Sequence, residues 1–296
     1  MLLPKNISRV HSQDNFLFFT DNKGMDKEPR LIVDVSRTES IVSYMKEKNL
    51  KTIMINSVYF PVNDLNFLNL FPFVERIFIT DNNHDITPIN ELPYLREIRM
   101  GAHRGTIDFN NFVQLEKLGI EWSNRLRNLE NATNIGWLWL NTYKGNSLEE
   151  FTNFRKLTYI YLYRPSIKSL KGIENMYSLN DLNIDTASKL ESLEGLNENL
   201  NHLESLYIYA AKQLNNYEPI SKLVALKHLE LRKTGEANSI DFIKGLIHLE
   251  KIVFGFKILD GNMSYLKGIK DVGFIDFPHY SNKMKDFKQS VGLQNS

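Results

Sequence analysis

The sequence predicts an α/β solenoid, a stack of coils in which each turn of chain contributes one short strand to a shared parallel sheet. Two observations carry this. A short apolar phrase returns at a bounded spacing through most of the 296 residues, and most returns are preceded by a second apolar series spaced by three. A third observation limits what can hold the coils together. The chain contains no cysteine, so disulfides, thiolate metal sites, cysteine nucleophiles and thiol redox switching are excluded, and packing must do the work.

The phrase is apolar-x-x-apolar-x-apolar. It reads Leu50/Ile53/Ile55, Val74/Ile77/Ile79, Leu95/Ile98/Met100, Leu115/Leu118/Ile120, Ile135/Leu138/Leu140, Leu157/Ile160/Leu162, Leu179/Leu182/Ile184, Leu203/Leu206/Ile208, Leu226/Leu229/Leu231, Leu249/Ile252/Phe254 and Ile269/Val272/Phe274. Successive first residues are 24, 21, 20, 20, 22, 22, 24, 23, 23 and 20 apart, all inside the range of about 20 to 29 expected of leucine-rich repeats. The second and third apolar residues lie two apart, on one face of a short strand, while the residues between and beside them point outward. One copy cannot bury its own apolar face, so each depends on its neighbours and the ends need caps. The predicted fold is therefore a leucine-rich-repeat solenoid over residues 49–280, a curved horseshoe whose concave parallel sheet has about eleven short strands. The series Leu170, Ile173, Met176, Leu179 and Ile240, Ile243, Leu246, Leu249 predict short helices or 3₁₀ turns on the convex side.

Residues 1–48 depart from the phrase and read as an α/β cap. Asn15 to Thr20 and Leu31 to Val35 are apolar runs of strand type around a turn containing Gly24. Ser36 and Glu39 have capping-box spacing ahead of Ile41, Val42, Tyr44 and Met45, which predicts a helix of about three turns. Strand, helix and the Leu50 strand form a right-handed crossover into the first coil. At the other end the segment Gly273 to Tyr280 closes the last coil, with Pro278 ending strand pairing. Residues 281–296 form a polar tail with at most one short helix around Met284 to Phe287 and a frayed end.

Composition sets the function classes. With 42% hydrophobic and 24% charged residues the chain has material for a core, and a net charge of +1 gives no global reason to bind nucleic acid. Met1 to Asn6 has no secretory pattern, and no apolar run reaches the roughly 18 to 20 residues of a membrane span. The expectation is a cytoplasmic protein with no membrane partner. Histidines at 11, 84, 103, 202, 228, 248 and 279 include no i, i+4 pair for a metal, and His202 and His248 fall at coil corners. There is no nucleophile elbow, phosphate-cradling loop or dinucleotide fingerprint. The reading is a non-enzyme without metal or cofactor. Asp181 and Asp185 share a strand face and have the residue type of an acid/base pair, but nothing in the sequence raises either pKa.

The register assigns outward positions as the third, fifth and seventh residues of each copy. From the fifth copy they are Trp137, Trp139, Asn141; Tyr159, Tyr161, Tyr163; Asp181, Asn183, Asp185; Ser205, Tyr207, Tyr209; and His228, Glu230, Arg232. Seven aromatics thus face outward on three strands of a patch about 20 Å wide, with strands about 4.8 Å apart. Tryptophan and tyrosine offer rigid apolar bodies with polar tips, well suited to recognition, and the two aspartates favour a basic partner. The candidate protein-binding residues are Trp137, Trp139, Tyr159, Tyr161, Tyr163, Asp181, Asp185, Tyr207, Tyr209 and Arg232. Lateral stacking, such as Trp139 on Tyr161, is the competing use of these rings. In the first four copies the outward residues are Thr52, Met54, Asn56; Arg76, Phe78, Thr80; Glu97, Arg99, Gly101; and Lys117, Gly119, Glu121, where Arg76, Glu97 and Lys117 predict a solvated charge ladder.

The L-x-x-L-x-L phrase and its spacing resemble the short bacterial repeats of the internalin type over about three quarters of the chain. That resemblance implies an asparagine three residues after the third apolar position, bonding the backbone of the adjoining coil. Asn82 fits, but Ser123, Tyr143, Pro165, Ala187, Ala211, Thr234 and Lys257 replace it later, so irregular ascending loops and uneven curvature are expected. The repeats standing alone, with Gly261 to Leu266 followed by His279 and Tyr280, are also similar to cytosolic bacterial repeat proteins suspected of being immunity partners of polymorphic toxins. This implies a protein partner, a basic toxin domain among the candidates. Secreted repeat proteins that act as ubiquitin ligases use a cysteine in a second domain, and neither is found here. Two other readings stay open: a structural protein that pairs with its own copy, and carbohydrate binding on the aromatic platform.

Overall fold

The computed structural model describes residues 10–21 and 28–287. The Gly24 turn, the extreme amino terminus and the end of the tail lie outside them. The chain forms two compact units that divide between Ala132 and Thr133. All eleven phrase strands are present, four in the first unit and seven in the second.

The first unit begins with a hairpin of β1 (Val10–Gln13) and β2 (Phe16–Phe19). Only the second of these strands was legible as such. Asp14 and Asn15 make the turn with φ of 52° and 67°, the left-handed pair that matches strand twist and suits Asp and Asn. β2 pairs antiparallel with β3 (Arg30–Ile32), which runs parallel to β4 (Thr52–Ile55). Helix α1 (Thr38–Glu47) connects them and buries Ile41, Tyr44 and Met45. Its start differs from the capping-box expectation. Asp34 accepts the Ser36 amide at 3.0 Å and caps a 3₁₀ turn over Val35–Arg37, and the α-helix follows from Arg37 with no side-chain cap. The carboxylate two residues earlier simply reaches the free amides first.

Strands β5 (Arg76–Ile79), β6 (Glu97–Met100) and β7 (Lys117–Glu121) continue parallel from β4. Ile53, Ile77, Ile98 and Leu118 point to the interior and are fully buried. The links between these strands contain 3₁₀ turns, at Asn66–Leu70, Thr87–Glu91 and Phe109–Asn111.

The opposite face of these strands overturns two expectations. Thr52, Met54 and Phe78, assigned to open positions, are buried; Met54 and Phe78 pack with Phe19 and Ile32 into a second apolar cluster supported by Val10, Leu17 and Phe60, and the Thr52 hydroxyl donates to Glu28 at 3.0 Å. The charge ladder is not solvated either. Glu97 is 2% exposed and is held by Arg76 at 2.7 Å and by Arg99, while Arg76 also pairs with Glu28. Arg30 lays its guanidinium 3.7 Å from the Phe78 ring centre. A carboxylate so dehydrated is tolerable only with such partners. Each ring of the cluster contributes roughly 2 to 3 kcal/mol by leaving water.

The second unit is more regular. Strands β8 (Trp137–Asn141), β9 (Tyr159–Tyr163), β10 (Asp181–Asp185), β11 (Ser205–Tyr209), β12 (His228–Arg232), β13 (Lys251–Phe254) and β14 (Asp271–Gly273) pair parallel in chain order. The register never slips: Leu138, Ile160, Leu182, Leu206, Leu229, Ile252 and Val272 lie in one row. All seven are buried. Turns of 3₁₀ type at Ile173–Asn175 and Asp241–Ile243 answer the apolar series spaced by three.

Against the expectation of irregularity, the first five ascending loops here repeat one geometry. In five of the seven copies the second residue after the third apolar position, namely Thr142, Arg164, Thr186, Ala210 and Lys233, adopts the left-handed conformation with φ of 51° to 56°. Thr142, Arg164 and Ala210 donate their amides to the next coil, at Tyr163, Asp185 and Arg232, at 2.7 to 2.9 Å. Backbone thus supplies the link between coils that the resemblance assigned to asparagine. After the first four of these corners the next residue, Tyr143, Pro165, Ala187 or Ala211, is buried.

The carboxyl end closes the last coils through His279 and Tyr280. The Ile258 amide donates to the Tyr280 hydroxyl at 2.8 Å and the His279 imidazole meets the Ile258 carbonyl at 2.8 Å. Strand pairing ends at Gly273, before Pro278, and a 3₁₀ turn at Met284–Asp286 occupies the predicted short helical position.

Candidate binding face

Along β9, β10 and β11 buried and half-exposed residues alternate without exception, the pattern of a sheet with one face in the core and one in solvent. The ten residues singled out from sequence all lie on the open face of this unit, brought together by three rows. One row is Trp137, Tyr159, Asp181, Ser205, His228; the next is Trp139, Tyr161, Asn183, Tyr207, Glu230; the third is Asn141, Tyr163, Asp185, Tyr209, Arg232.

On β8 and β9 the rings touch laterally. Trp137 stacks on Tyr159 at 5.4 Å between ring centres with planes 3° apart, and Trp139 meets Tyr161 edge-on at 5.4 Å. Such pairs add about 0.5 to 1.5 kcal/mol beyond area burial, so lateral stacking is real. It leaves Trp139 40% exposed, with its indole N–H turned to Asn141 at 3.0 Å. On β11 Tyr207 and Tyr209 lie parallel at 6.4 Å.

Between these aromatic strands runs β10, with the short polar side chains Asp181, Asn183 and Asp185. The Tyr161 hydroxyl donates to Asp185 at 3.1 Å and the Thr186 hydroxyl donates to its other oxygen at 2.9 Å. Burial, then the Asp185 charge and its hydrogen bond, push the Tyr161 phenol above the usual tyrosine range. Burial and the same carboxylate push Tyr207 up to about 12. Burial also raises Asp181, partly countered by a hydrogen bond from Ser205. The two aspartates sit four residues apart on one strand, roughly 13 Å, wider than the separations at which two carboxylates share acid and base roles.

Beyond β11 the face becomes mixed in charge. Glu230 holds Arg232 at 3.2 Å and Lys251 at 3.1 Å. A depression of about 310 Å³ lies here, lined by Asn183, Ser205, Tyr207, His228, Glu230 and Lys251. Glu230 and Lys251 are contributors that the sequence reading left out of its site. The outward register of Glu230 was the available signal; Lys251 precedes Ile252 in the same frame. Among the described residues no three His, Cys, Asp or Glu side chains group as metal ligands, and no helix is long and apolar enough to cross a membrane.

No family model and no curated protein matches the sequence. Solved structures do. An internalin of Listeria monocytogenes is similar with a TM-score of 0.56 and 16% identity over 83% of this chain and 82% of its own. A leucine-rich-repeat protein of Leptospira interrogans is similar with a TM-score of 0.59 and 13% identity over 79% and 68%. The chain has the leucine-rich-repeat fold. A third leucine-rich-repeat neighbour is the plant peptide hormone receptor RGFR1 in complex with RGF2, with a TM-score of 0.52 and 14% identity over 72% of this chain and 37% of that one. At these identities it is the repeat architecture that is shared.

Proposed function

We propose that this leucine-rich-repeat chain is a non-catalytic protein-binding module that holds its partner on the open face of β8 to β12. The observation that carries the reading is the contrast of use on one continuous register: inward residues are spent on the core, while seven aromatics remain at the surface with Trp139 the most exposed of the rings on these strands. Clustered, half-exposed Trp and Tyr favour hot-spot recognition. A structural neighbour, a plant peptide hormone receptor in complex with RGF2, supports the same use of the architecture. The acidic floor at Asp181 and Asp185 favours a basic partner, and the finer reading is neutralisation of a basic toxin domain by a cytoplasmic immunity protein. No observation specifically favours self-pairing or sugar binding.

The test is affinity capture from the native host with the intact chain as bait, against a Trp139→Ala/Tyr161→Ala variant whose circular dichroism matches the parent. Proteins retained by the parent and lost by the variant are the expected result. An identical retained set would place recognition elsewhere. For the finer reading, co-expression with the captured partner should relieve its toxicity, and a partner that is harmless alone would end it.

A further inference from the structure

Resting on that reading, we infer that the trough along β10 takes an arginine side chain of the partner, its guanidinium clamped between the tyrosines of β9 and β11 and seated on Asp185. The walls are Tyr161 and Tyr163 on one side and Tyr207 and Tyr209 on the other, because Tyr161 pairs with Asn183 and Asn183 with Tyr207, while Tyr163 pairs with Asp185 and Asp185 with Tyr209. Strands two apart are separated by about 9.6 Å. Between these rows β10 carries only the shorter side chains Asp181, Asn183 and Asp185, all half-exposed.

The charge balance of this face selects the group. Of its three carboxylates Glu230 is neutralised twice over, by Arg232 and Lys251. Asp181 and Asp185 have no ion pair among the described residues. Asp185 is nonetheless held in place: one oxygen takes the Tyr161 hydroxyl and the other the Thr186 hydroxyl. A carboxylate offers about four lone-pair sites, so by that count each oxygen keeps one. That is the acceptor arrangement a guanidinium satisfies with two parallel N–H donors, which a point-charge ammonium cannot match. Aromatic faces add cation–π attraction to the same planar cation. Cations of the chain itself already lie against two of these rings, Arg164 5.0 Å from the Tyr163 ring centre and Lys233 5.0 Å from that of Tyr209. Asp181, roughly 13 Å along the strand, is a second seat for a cation four residues away in an extended partner segment.

The probe is a synthetic extended peptide with arginines four residues apart on a glycine spacer, titrated by calorimetry and by Trp fluorescence against the full chain. Control peptides carry citrulline, the neutral isostere, or lysine at both places. Arginine is expected to bind at least about tenfold more tightly than citrulline and measurably more tightly than lysine. Asp185→Asn should remove most of the arginine preference while leaving citrulline binding unchanged, and Asp181→Asn should remove a smaller part. Equal binding of the arginine and citrulline peptides, or an Asp185→Asn chain that still discriminates between them, overturns the inference. The reading beneath it fails separately. If the captured partner is lost on Trp139→Ala/Tyr161→Ala but kept by Asp185→Asn, the face stands and the arginine seat does not; if it survives all substitutions, both fall.

Discussion

The first and second units use the same repeat and treat its open face in opposite ways. On β4 to β6 the outward positions Thr52, Met54, Phe78 and Glu97 are sealed under the amino-terminal hairpin and a web of arginines. On β8 to β12 the equivalent positions are left in solvent, though seven of fifteen carry rings that would lower their free energy by being covered. The difference teaches that this repeat can satisfy apolar outward residues internally when it needs to. Leaving them open in the second unit is therefore a property of that unit, not a limitation of the architecture.

Energetics should separate the two faces. Phe78→Ala should cost about 3 to 5 kcal/mol in chemical denaturation, as for a large buried ring, whereas Trp139→Ala should stay within about 1 kcal/mol; comparable losses would erase the contrast. Glu97→Gln comes next. It leaves Arg76 and Arg99 short of a buried counter-charge, with an expected loss of about 2 to 3 kcal/mol, and a neutral outcome would mean that water reaches the network. Tyr161→Phe removes the bond to Asp185, worth about 1 kcal/mol, so a parent-like denaturation midpoint would show that bond to be idle.

Asp181→Asn should have the smallest effect, and of opposite sign. Burial raises the Asp181 pKa in the folded chain, so the native state binds the proton more tightly than the unfolded one. The carboxylate then costs nothing below the unfolded pKa, and its penalty grows as pH rises through the folded value. The variant should be at least as stable as the parent at pH 7, by less than about 1 kcal/mol given its solvent contact. It should lose that advantage near pH 3. A gain independent of pH would point to packing instead.

Much of this was readable from period alone. Alternation placed Trp137, Trp139, Tyr159, Tyr161, Tyr207 and Tyr209 on the open side, because side-chain direction in a strand is local geometry. The sealing of the first face was not, since it depends on Val10 and Leu17 meeting Met54 and Phe78 across the chain. A signal existed: Ile53-Met54-Ile55 and Ile77-Phe78-Ile79 are continuous apolar runs, the mark of strands buried on both sides. The left-handed corners left no trace, because Thr142, Arg164, Thr186, Ala210 and Lys233 share no residue type that favours that conformation. At Thr142, Arg164 and Ala210 the amide bond to the next coil holds the backbone in that conformation whatever the side chain.

Those corners have an evolutionary corollary. A bend held by main-chain bonds carries Thr, Arg and Ala alike at positions 142, 164 and 210, so substitutions at the three displayed positions of a coil leave its corner in place. Specificity in such a chain can drift or be redesigned one strand at a time, at the cost only of the lateral contacts that strand gives up.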